Sequence, residues 1–246
     1  MPFTFAHPLY AFPLKRLKPA YFSTTGLVLG SMAPDFEYFF ALEPYQAIGH
    51  SPLGLVVEGL PLSIVFALLF HRIVRVSFAL HLPSRYGLDA RAYRLIKPLE
   101  PASLRAWLVF FASVAIGFGT HVLLDGFTHS GGYFVGRFAF LADTTVGGIP
   151  YYKIAQHGLT LIGLLVQAAI LVRLLRRTPP LRAGLPKVDG RRKLAFWLTA
   201  AFILLLTVTL KLALTASTNH LGAAVVSTLS GGLLGIFSAS ALYGRR

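Results

Sequence analysis

His121 and Asp125 lie four residues apart near the end of a long apolar segment. On a helix, this spacing places the imidazole and the carboxylate on one face, about one turn apart. Because ionisable groups are costly at membrane depth, such a pair indicates a functional site. Imidazole nitrogens and carboxylate oxygens bind divalent metals, and one carboxylate can bridge two ions. The pair therefore predicts a metal site. The alternative is an interfacial histidine beside a helix-ending aspartate, with no metal.

Further histidines and acids stand in or beside other apolar segments. Asp35 follows Pro34, which kinks or breaks a helix and exposes the carboxylate at its re-aimed end. His50 directly precedes a helix start, because Ser51 is a typical N-cap residue and Pro52 suits the first helical position. The alternatives are a helix-capping Asp35 and an ordinary interfacial His50. The complete set of predicted metal ligands is His7, Asp35, His50, His121, Asp125, His129 and His157.

Three carboxylates are candidates for catalysis. Asp35 and Asp125 would act at the metal site, and Glu58 lies about two turns beyond His50. An unpaired carboxylate at that depth is expensive, which favours Glu58 as a histidine partner or a general base. A protonated packing residue is the alternative. The sequence lacks a G-x-S-x-G elbow, an H-E-x-x-H motif and a Walker loop, so no other catalytic device competes.

The composition is that of a membrane protein. The 246 residues are 55% hydrophobic and 13% charged, about half the charged fraction of a soluble domain. We therefore predict an all-α, polytopic helix bundle of about six spans that forms one membrane domain over residues 1–246. Residues 1–160 would carry the metal site and residues 190–246 a C-terminal pair of spans. The predicted segments are Ala20–Leu42, Leu53–Phe70, Leu104–Leu124, Tyr151–Leu175, Leu194–Leu214 and Leu221–Tyr243.

The distribution of basic residues predicts the orientation of these spans. The formal net charge is +14, and most lysines and arginines fall in two loops, after the second and the fourth segments. The positive-inside rule places both loops in the cytoplasm, so the predicted ligands around His50, His121 and His157 face the extracytoplasmic side of the cell inner membrane. No basic groove with interleaved aromatic residues is visible, and no nucleic-acid partner is expected. Met1 to Phe12 lack the basic start of a cleavable signal peptide.

The N-terminal quarter requires a special arrangement. If Ala20–Leu42 crossed the membrane outward, His7 would start on the cytoplasmic side, far from the other ligands. His7 joins the site only if residues 3 to 40 form a helical hairpin that dips into the membrane, with Lys15 and its basic neighbours at the turn. The chain has no cysteine, so any metal is held by nitrogen and oxygen.

These residues resemble a known pattern. It consists of an early histidine, a Pro-Asp-x-acid step, a Gly-His-Ser helix start and a His-x-x-x-Asp-Gly-x-Thr-His segment, here His7, residues 34–37, residues 49–51 and residues 121–129. Over residues 1 to 160 the chain resembles the bacterial membrane family called domain of unknown function 4184, and the membrane-bound metal-dependent hydrolases related to the LexA-regulated inner-membrane protein. The order of ligands is also similar to that of the all-helical zinc-dependent phospholipase C and S1/P1 nuclease group.

The resemblance implies a cluster of two metal ions. His7, Asp35, His50, His121 and Asp125 would form it, with Asp125 as the bridge, and His129 and His157 would hold a third ion. Two features depart from the related enzymes. The soluble group has a glutamate four residues after its last histidine, where this chain has Leu161. The membrane hydrolases often carry a second histidine shortly after the one matched by His50, where this chain has Pro52 and Leu53.

The expected activity is metal-assisted hydrolysis of a phosphoester in a lipid or lipid-linked substrate. The expected cofactor is a pair of divalent metal ions. Zinc is expected, with manganese or iron as alternatives. Two other functions stay open. The same cluster could serve an ion or lipid carrier, in which Glu58 and Lys211 would line a continuous polar path. It could also lock helices together in a structural membrane protein.

Overall fold

The computed structural model of the protein describes residues 3–96, 103–181, 183–215 and 217–244. Within these ranges almost all regular structure is helical. The helices are α1 (His7–Leu17), α2 (Thr24–Met32), α3 (Phe36–Ala41), α4 (Pro52–His81), α5 (Leu88–Leu95), α6 (Leu104–Thr128), α7 (Ala139–Asp143), α8 (Tyr151–Arg177), α9 (Gly190–Leu214) and α10 (His220–Tyr243). Two short strands, β1 (Thr145–Val146) and β2 (Ile149–Pro150), pair in antiparallel fashion between α7 and α8.

The described residues contain five helices that are long and apolar enough to cross a membrane, namely α4, α6, α8, α9 and α10. The chain is therefore a nearly all-α, multi-pass membrane protein, as the sequence predicts. The first predicted segment, Ala20–Leu42, is not one of the five. It is divided into α2, a 3₁₀ turn at Ala33–Asp35 and α3. Pro34 stands inside this turn, where its ring and missing N–H interrupt a regular α-helix.

The chain packs as two compact units, each assembled from separate stretches of sequence. The first unit comprises Met1–Phe36, Ala47–Ile64 and Ala102–Leu171, and the second comprises Glu37–Gln46, Val65–Pro101 and Val172–Arg246.

In the first unit, α1 and α2 form the predicted helical hairpin. Ser23 caps α2, because its side chain accepts a hydrogen bond from Gly26 N. Lys15 Nζ donates hydrogen bonds of 2.6 Å to two carbonyl oxygens of the turn, those of Pro19 and Phe22. The turn reaches the middle of α6, since Ser23 N donates to Ser113 Oγ over 2.8 Å. The hairpin therefore returns the chain toward the end of α6 that carries His121 and Asp125.

The hairpin packs on α6 through glycines. A Cβ atom on Gly30 would collide with the backbone of Val114, and one on Gly117 would lie 2.6 Å from the Leu27 carbonyl oxygen. Small residues at such positions let two helix backbones approach closely in a membrane protein. This close approach brings Ser31, near the end of α2, beside His121.

The second unit is built on α9 and α10, which pack through Gly231 and Gly235 against Leu204 and Ala200. The Gly-xxx-Gly spacings Gly26/Gly30 and Gly231/Gly235 therefore both serve helix packing. His81 is buried in this unit and stacks on Phe196 with ring centroids 4.4 Å apart. Its Nδ1–H donates to the Ser77 carbonyl oxygen over 2.7 Å.

Two lysines of the second unit make ion pairs. Lys193 Nζ lies 2.6 Å from Asp89 Oδ2, which also accepts from Ser84 Oγ over 2.7 Å. Lys211, near the end of α9, is buried; its Nζ donates to the Ala41 carbonyl oxygen over 3.0 Å and lies 3.3 Å from Glu43 Oε2. Lys211 thus binds the carbonyl end of α3, a favourable place for a cation.

Candidate metal centre

Five of the predicted ligands converge in the first unit. They come from four places in the chain: His7 begins α1, Asp35 ends the 3₁₀ turn before α3, His50 precedes α4, and His121 and Asp125 face one another on α6. His7, Asp35 and His121 are at most 1% exposed, and Asp125 is 8% exposed. Burial of this many ionisable groups is costly unless each is paired or bound to a metal.

Two histidine nitrogens each lie close to the same two carboxylates. Asp35 Oδ1 lies 3.6 Å from both His50 Nε2 and His121 Nε2. Asp125 Oδ2 lies 3.3 Å from the same two nitrogens. Charge-assisted N–H···O bonds are shorter, about 2.7–2.9 Å. Two atoms that bind one zinc ion tetrahedrally at 2.0–2.2 Å are about 3.3–3.6 Å apart. Each of these four nitrogen–oxygen separations is therefore suitable for two ligands of one metal ion.

The other oxygen of Asp125 faces a second set of histidines. Asp125 Oδ1 lies 3.6 Å from His7 Nε2 and 3.7 Å from His129 Nδ1. The rings of His7 and His121 stack with centroids 3.7 Å apart, so the two sets are adjacent. Asp125 thus turns one oxygen toward each set, which is the geometry that a bridging carboxylate requires.

Hydrogen bonds behind the ligands direct their metal-facing atoms. His121 Nδ1–H donates to the Ser31 carbonyl oxygen over 2.7 Å, which leaves the lone pair on Nε2. Thr4 Oγ1 donates to Asp35 Oδ2 over 2.6 Å, so Asp35 Oδ1 turns to the cluster. Within the described ranges, Asp35 Oδ1, His121 Nε2 and Asp125 Oδ1 are buried and have no hydrogen-bond partner. Such atoms are rare in native proteins, and two divalent cations, one on each side of Asp125, would satisfy all three.

The remaining predicted site residues lie differently. Among the described residues, the sets of ligand atoms that lie within 4.8 Å of one another are His7–His121–Asp125 and Asp35–His50–His121. His129 borders the cluster, with Nδ1 only 3.1 Å from the Asp125 carbonyl oxygen. Glu58 lies in a π-helical turn of α4, partly buried, and belongs to neither set.

His157 also belongs to neither set and is exposed on α8. The preceding residue, Gln156, is 5% exposed instead, and its Nε2 lies 3.5 Å from His129 Nε2. Successive residues on a helix point about 100° apart, so only one of these two side chains can face His129. The structure places Gln156 there.

The sequence did not single out Thr4, Ser31 or Gln156. Thr4 and Gln156 are uncharged and follow no metal-binding motif. Ser31 contributes only a backbone carbonyl, which every residue has. The one usable signal is position: Thr4 lies one turn before His7, and Gln156 directly precedes the predicted ligand His157.

Comparison with known proteins identifies the family. A family model described as Domain of unknown function (DUF4184) matches residues 1–242. The chain therefore belongs to this family, and the match extends beyond residues 1–160 into α9 and α10. Searches of curated proteins and of solved structures gave no significant match.

Proposed function

We propose that the protein is a membrane-bound, metal-dependent hydrolase that cleaves a phosphoester in a lipid or lipid-linked substrate. The observation that carries this proposal is the convergence of Asp35, His50, His121 and Asp125, in which each histidine Nε2 lies 3.6 Å from an oxygen of Asp35 and 3.3 Å from an oxygen of Asp125. Zinc suits these nitrogen and oxygen ligands, and manganese and iron are alternatives. The two faces of Asp125 favour a pair of ions.

Paired divalent ions lower the pKa of bound water and neutralise charge on the attacking and leaving oxygens of a phosphoester. Asp35, His50, His121 and Asp125 would hold such ions in place. The side chains of Asp35 and His121 are fully buried, whereas those of His50 and Asp125 are 15% and 10% exposed. A substrate phosphate would therefore approach from the side of His50 and Asp125, while Asp35 and His121 close the back of the pocket.

The position of the cluster on α6 supports a substrate at the membrane surface. His121 and Asp125 lie seven and three residues before the end of α6 at Thr128, about 10 and 5 Å along the helix axis. If α6 ends at the membrane surface, this depth is near the lipid headgroups. The following segment exposes Tyr133, Phe138 and Phe140, residue types that are common at membrane interfaces. Basic residues in the loops after α4 and α8 support placement of the cluster on the extracytoplasmic side of the inner membrane.

Metal content tests the proposal directly. The full chain, purified in detergent, is expected to contain about two ions per molecule, and His121→Ala and Asp125→Ala are expected to contain markedly less. His220→Ala is the control, because His220 is exposed at the start of α10 in the second unit. A chelator should lower the melting temperature of the wild type but not of the two depleted variants. Equal, negligible metal in all samples would contradict the proposal and favour a purely structural cluster.

The loaded protein is then expected to release phosphate-containing products from phospholipid vesicles. Loss of this release in Asp125→Ala, with retention in His220→Ala, would assign it to the cluster. A protein that binds two ions but transports a solute without hydrolysis would support the carrier alternative instead.

A further inference from the structure

A buried amide is directed at the histidine beside the cluster. Gln156 is 5% exposed on α8, and its Nε2 lies 3.5 Å from His129 Nε2. The other ring nitrogen, His129 Nδ1, lies 3.7 Å from Asp125 Oδ1, the oxygen that also faces His7. His129 therefore has one nitrogen toward Gln156 and one toward the second set of ligands.

The two nitrogens of a neutral imidazole cannot both carry a proton. In the metal-free arrangement, His129 Nδ1–H donates to the Asp125 carbonyl oxygen at 3.1 Å, and Nε2 is an acceptor for the amide N–H of Gln156. A metal on Nδ1 needs the lone pair there, which moves the proton to Nε2. The Nε2–H then needs an acceptor in a buried site.

Glutamine serves both arrangements. A half-turn of its amide exchanges a donor for an acceptor at the same place, so Oε1 can accept from His129 Nε2–H when a metal is bound. A carboxylate would favour only the metal-binding arrangement, and an apolar side chain would favour neither. The choice of an amide at this position therefore matches a histidine that changes tautomer when the ion enters.

The N-terminal segment that leads into His7 contacts α8 close to Gln156. The Gln156 carbonyl oxygen accepts from Thr160 Oγ1 over 2.8 Å, and Thr160 Oγ1 accepts from Phe3 N over 3.0 Å. One face of α8 thus packs on the residues that precede α1. This contact joins the segment that leads into His7 to the helix that carries Gln156.

We propose that Gln156 is a positioning residue that stabilises the Nε2-protonated tautomer of His129, so that His129 Nδ1 becomes the third protein ligand of the ion held by His7 and Asp125 Oδ1. This inference rests on the metal cluster of the proposed function. It makes the two ions unequal. The ion beside His7 would have three protein ligands and one open position, which is the arrangement of catalytic zinc sites.

Metal titration of three variants tests the inference. The full-length protein is stripped of metal in detergent and titrated with Zn²⁺ against a chromophoric chelator. Gln156→Leu removes the acceptor, and Gln156→Glu retains one. Gln167→Leu is the matched control, because Gln167 is also an amide on α8 that binds the N-terminal segment, through the Phe5 carbonyl oxygen at 2.8 Å.

We expect the wild type, Gln156→Glu and Gln167→Leu to bind two ions. Gln156→Leu is expected to keep one ion at wild-type affinity and to bind the other about 10- to 100-fold more weakly. With Mn²⁺ as the probe, electron paramagnetic resonance should show a spin-coupled pair in the wild type and an isolated ion in Gln156→Leu at limiting metal. Gln156→Glu should restore the coupled signal.

The outcomes separate this inference from the proposed function. A wild type that binds no metal overturns both. A wild type that binds two ions, with Gln156→Leu also binding two at equal affinity, overturns only the role of Gln156. Loss of both ions in Gln156→Leu, equal weakening in Gln167→Leu, or failure of Gln156→Glu to restore the second ion also overturns that role, because each outcome points to helix packing rather than to the tautomer of His129.

Discussion

At the scale of single residues, the candidate centre depends on which atom each ligand presents. Asp35 and His121 each use one polar atom for a hydrogen bond behind the site and turn the other to the cluster. Asp125 lies between the two sets of histidines and faces both. Removing a supporting hydrogen bond should therefore weaken metal binding without removing any ligand.

Thr4 allows this idea to be tested with a conservative change. Thr4→Val keeps the shape of the side chain and removes the donor to Asp35 Oδ2. We expect Zn²⁺ affinity to fall about 10- to 100-fold, because a hydrogen bond that orients a metal-binding carboxylate typically contributes this much. Thr4→Ser retains a hydroxyl and should bind Zn²⁺ nearly as the wild type does. Wild-type affinity in Thr4→Val, measured by chelator competition, would show that Asp35 needs no such support.

The sequence predicts the candidate ligands better than the hydrogen-bond partners that orient them. The i, i+4 spacing of His121 and Asp125 is a local property of one helix, so it can be read without a structure. Thr4 reaches Asp35 across 31 positions, and Ser31 reaches His121 across 90. Contacts of this kind depend on helix packing, which local spacing does not encode. The exposed position of His157 has the same origin, because the rotation of α8 about its axis is set by its neighbours.

At the scale of helices, the close packing of α2 on α6 places the Ser31 carbonyl oxygen within hydrogen-bond distance of His121 Nδ1. The backbones are in contact at Gly30 and Gly117, where an added methyl group would meet the opposite helix. The alignment of these two helices therefore positions the residues of the candidate metal centre, although neither glycine contributes a ligand atom.

Two glycines on the same helix provide a controlled comparison. Gly117→Ala places a Cβ atom 2.6 Å from the Leu27 carbonyl oxygen, whereas a Cβ atom on Gly119 has nothing within 4 Å. We expect Gly117→Ala to destabilise the protein by about 1–3 kcal/mol, as overpacking does. Gly119→Ala should be neutral or stabilising, by up to about 1 kcal/mol. Melting temperatures in detergent measure the difference, and equal effects of the two changes would contradict the packing argument.

The ion pair between α5 and α9 predicts a dependence of stability on pH. Burial by itself would raise the pKa of Asp89, but the hydrogen bonds from Lys193 and Ser84 outweigh it and hold the pKa below the ordinary value. A carboxyl group whose pKa is lower in the folded state stabilises the fold above its unfolded pKa, about 3.9. This stabilisation is lost as the pH falls through the folded-state value.

Asp89→Asn should therefore lower the free energy of unfolding near pH 7 by about 1.5–3 kcal/mol, the range for hydrogen bonds to charged groups. The difference between variant and wild type should narrow below about pH 4. Thermal unfolding at a series of pH values provides the measurement. A difference that stays constant down to pH 3 would mean that the charge of Asp89 does not stabilise the fold.

At the scale of the whole molecule, hydropathy predicts the membrane helices but not the hairpin at the start of the chain. Residues 20–42 are as apolar as a span, yet Pro34 divides them and the structure has five candidate spans among its described residues. The position of His7 predicts the hairpin, because His7 could not otherwise reach the other predicted ligands. Composition does not predict it, because a hairpin that dips into the membrane and a full span have similar hydropathy.

The orientation of the chain can be tested because the protein contains no cysteine. Thr145 and Ala183 are exposed, in strand β1 and in the loop after α8, respectively. We expect a membrane-impermeant maleimide to label Thr145→Cys in intact cells and Ala183→Cys only after permeabilisation. The opposite pattern would place the metal centre at the cytoplasmic face and remove the support for an outer-leaflet substrate.

The short N-terminal hairpin has a consequence for the surrounding bilayer. Helices of 11 and 9 residues are about 16 and 14 Å long, half of a hydrocarbon core of about 30 Å. In a bilayer spanned by α6, its turn, with the exposed Arg16 and Lys18, would stop short of the opposite leaflet. Lipids below the turn would then tilt or compress to meet these cations. The bilayer would therefore be thinner beside the hairpin than around the five longer helices.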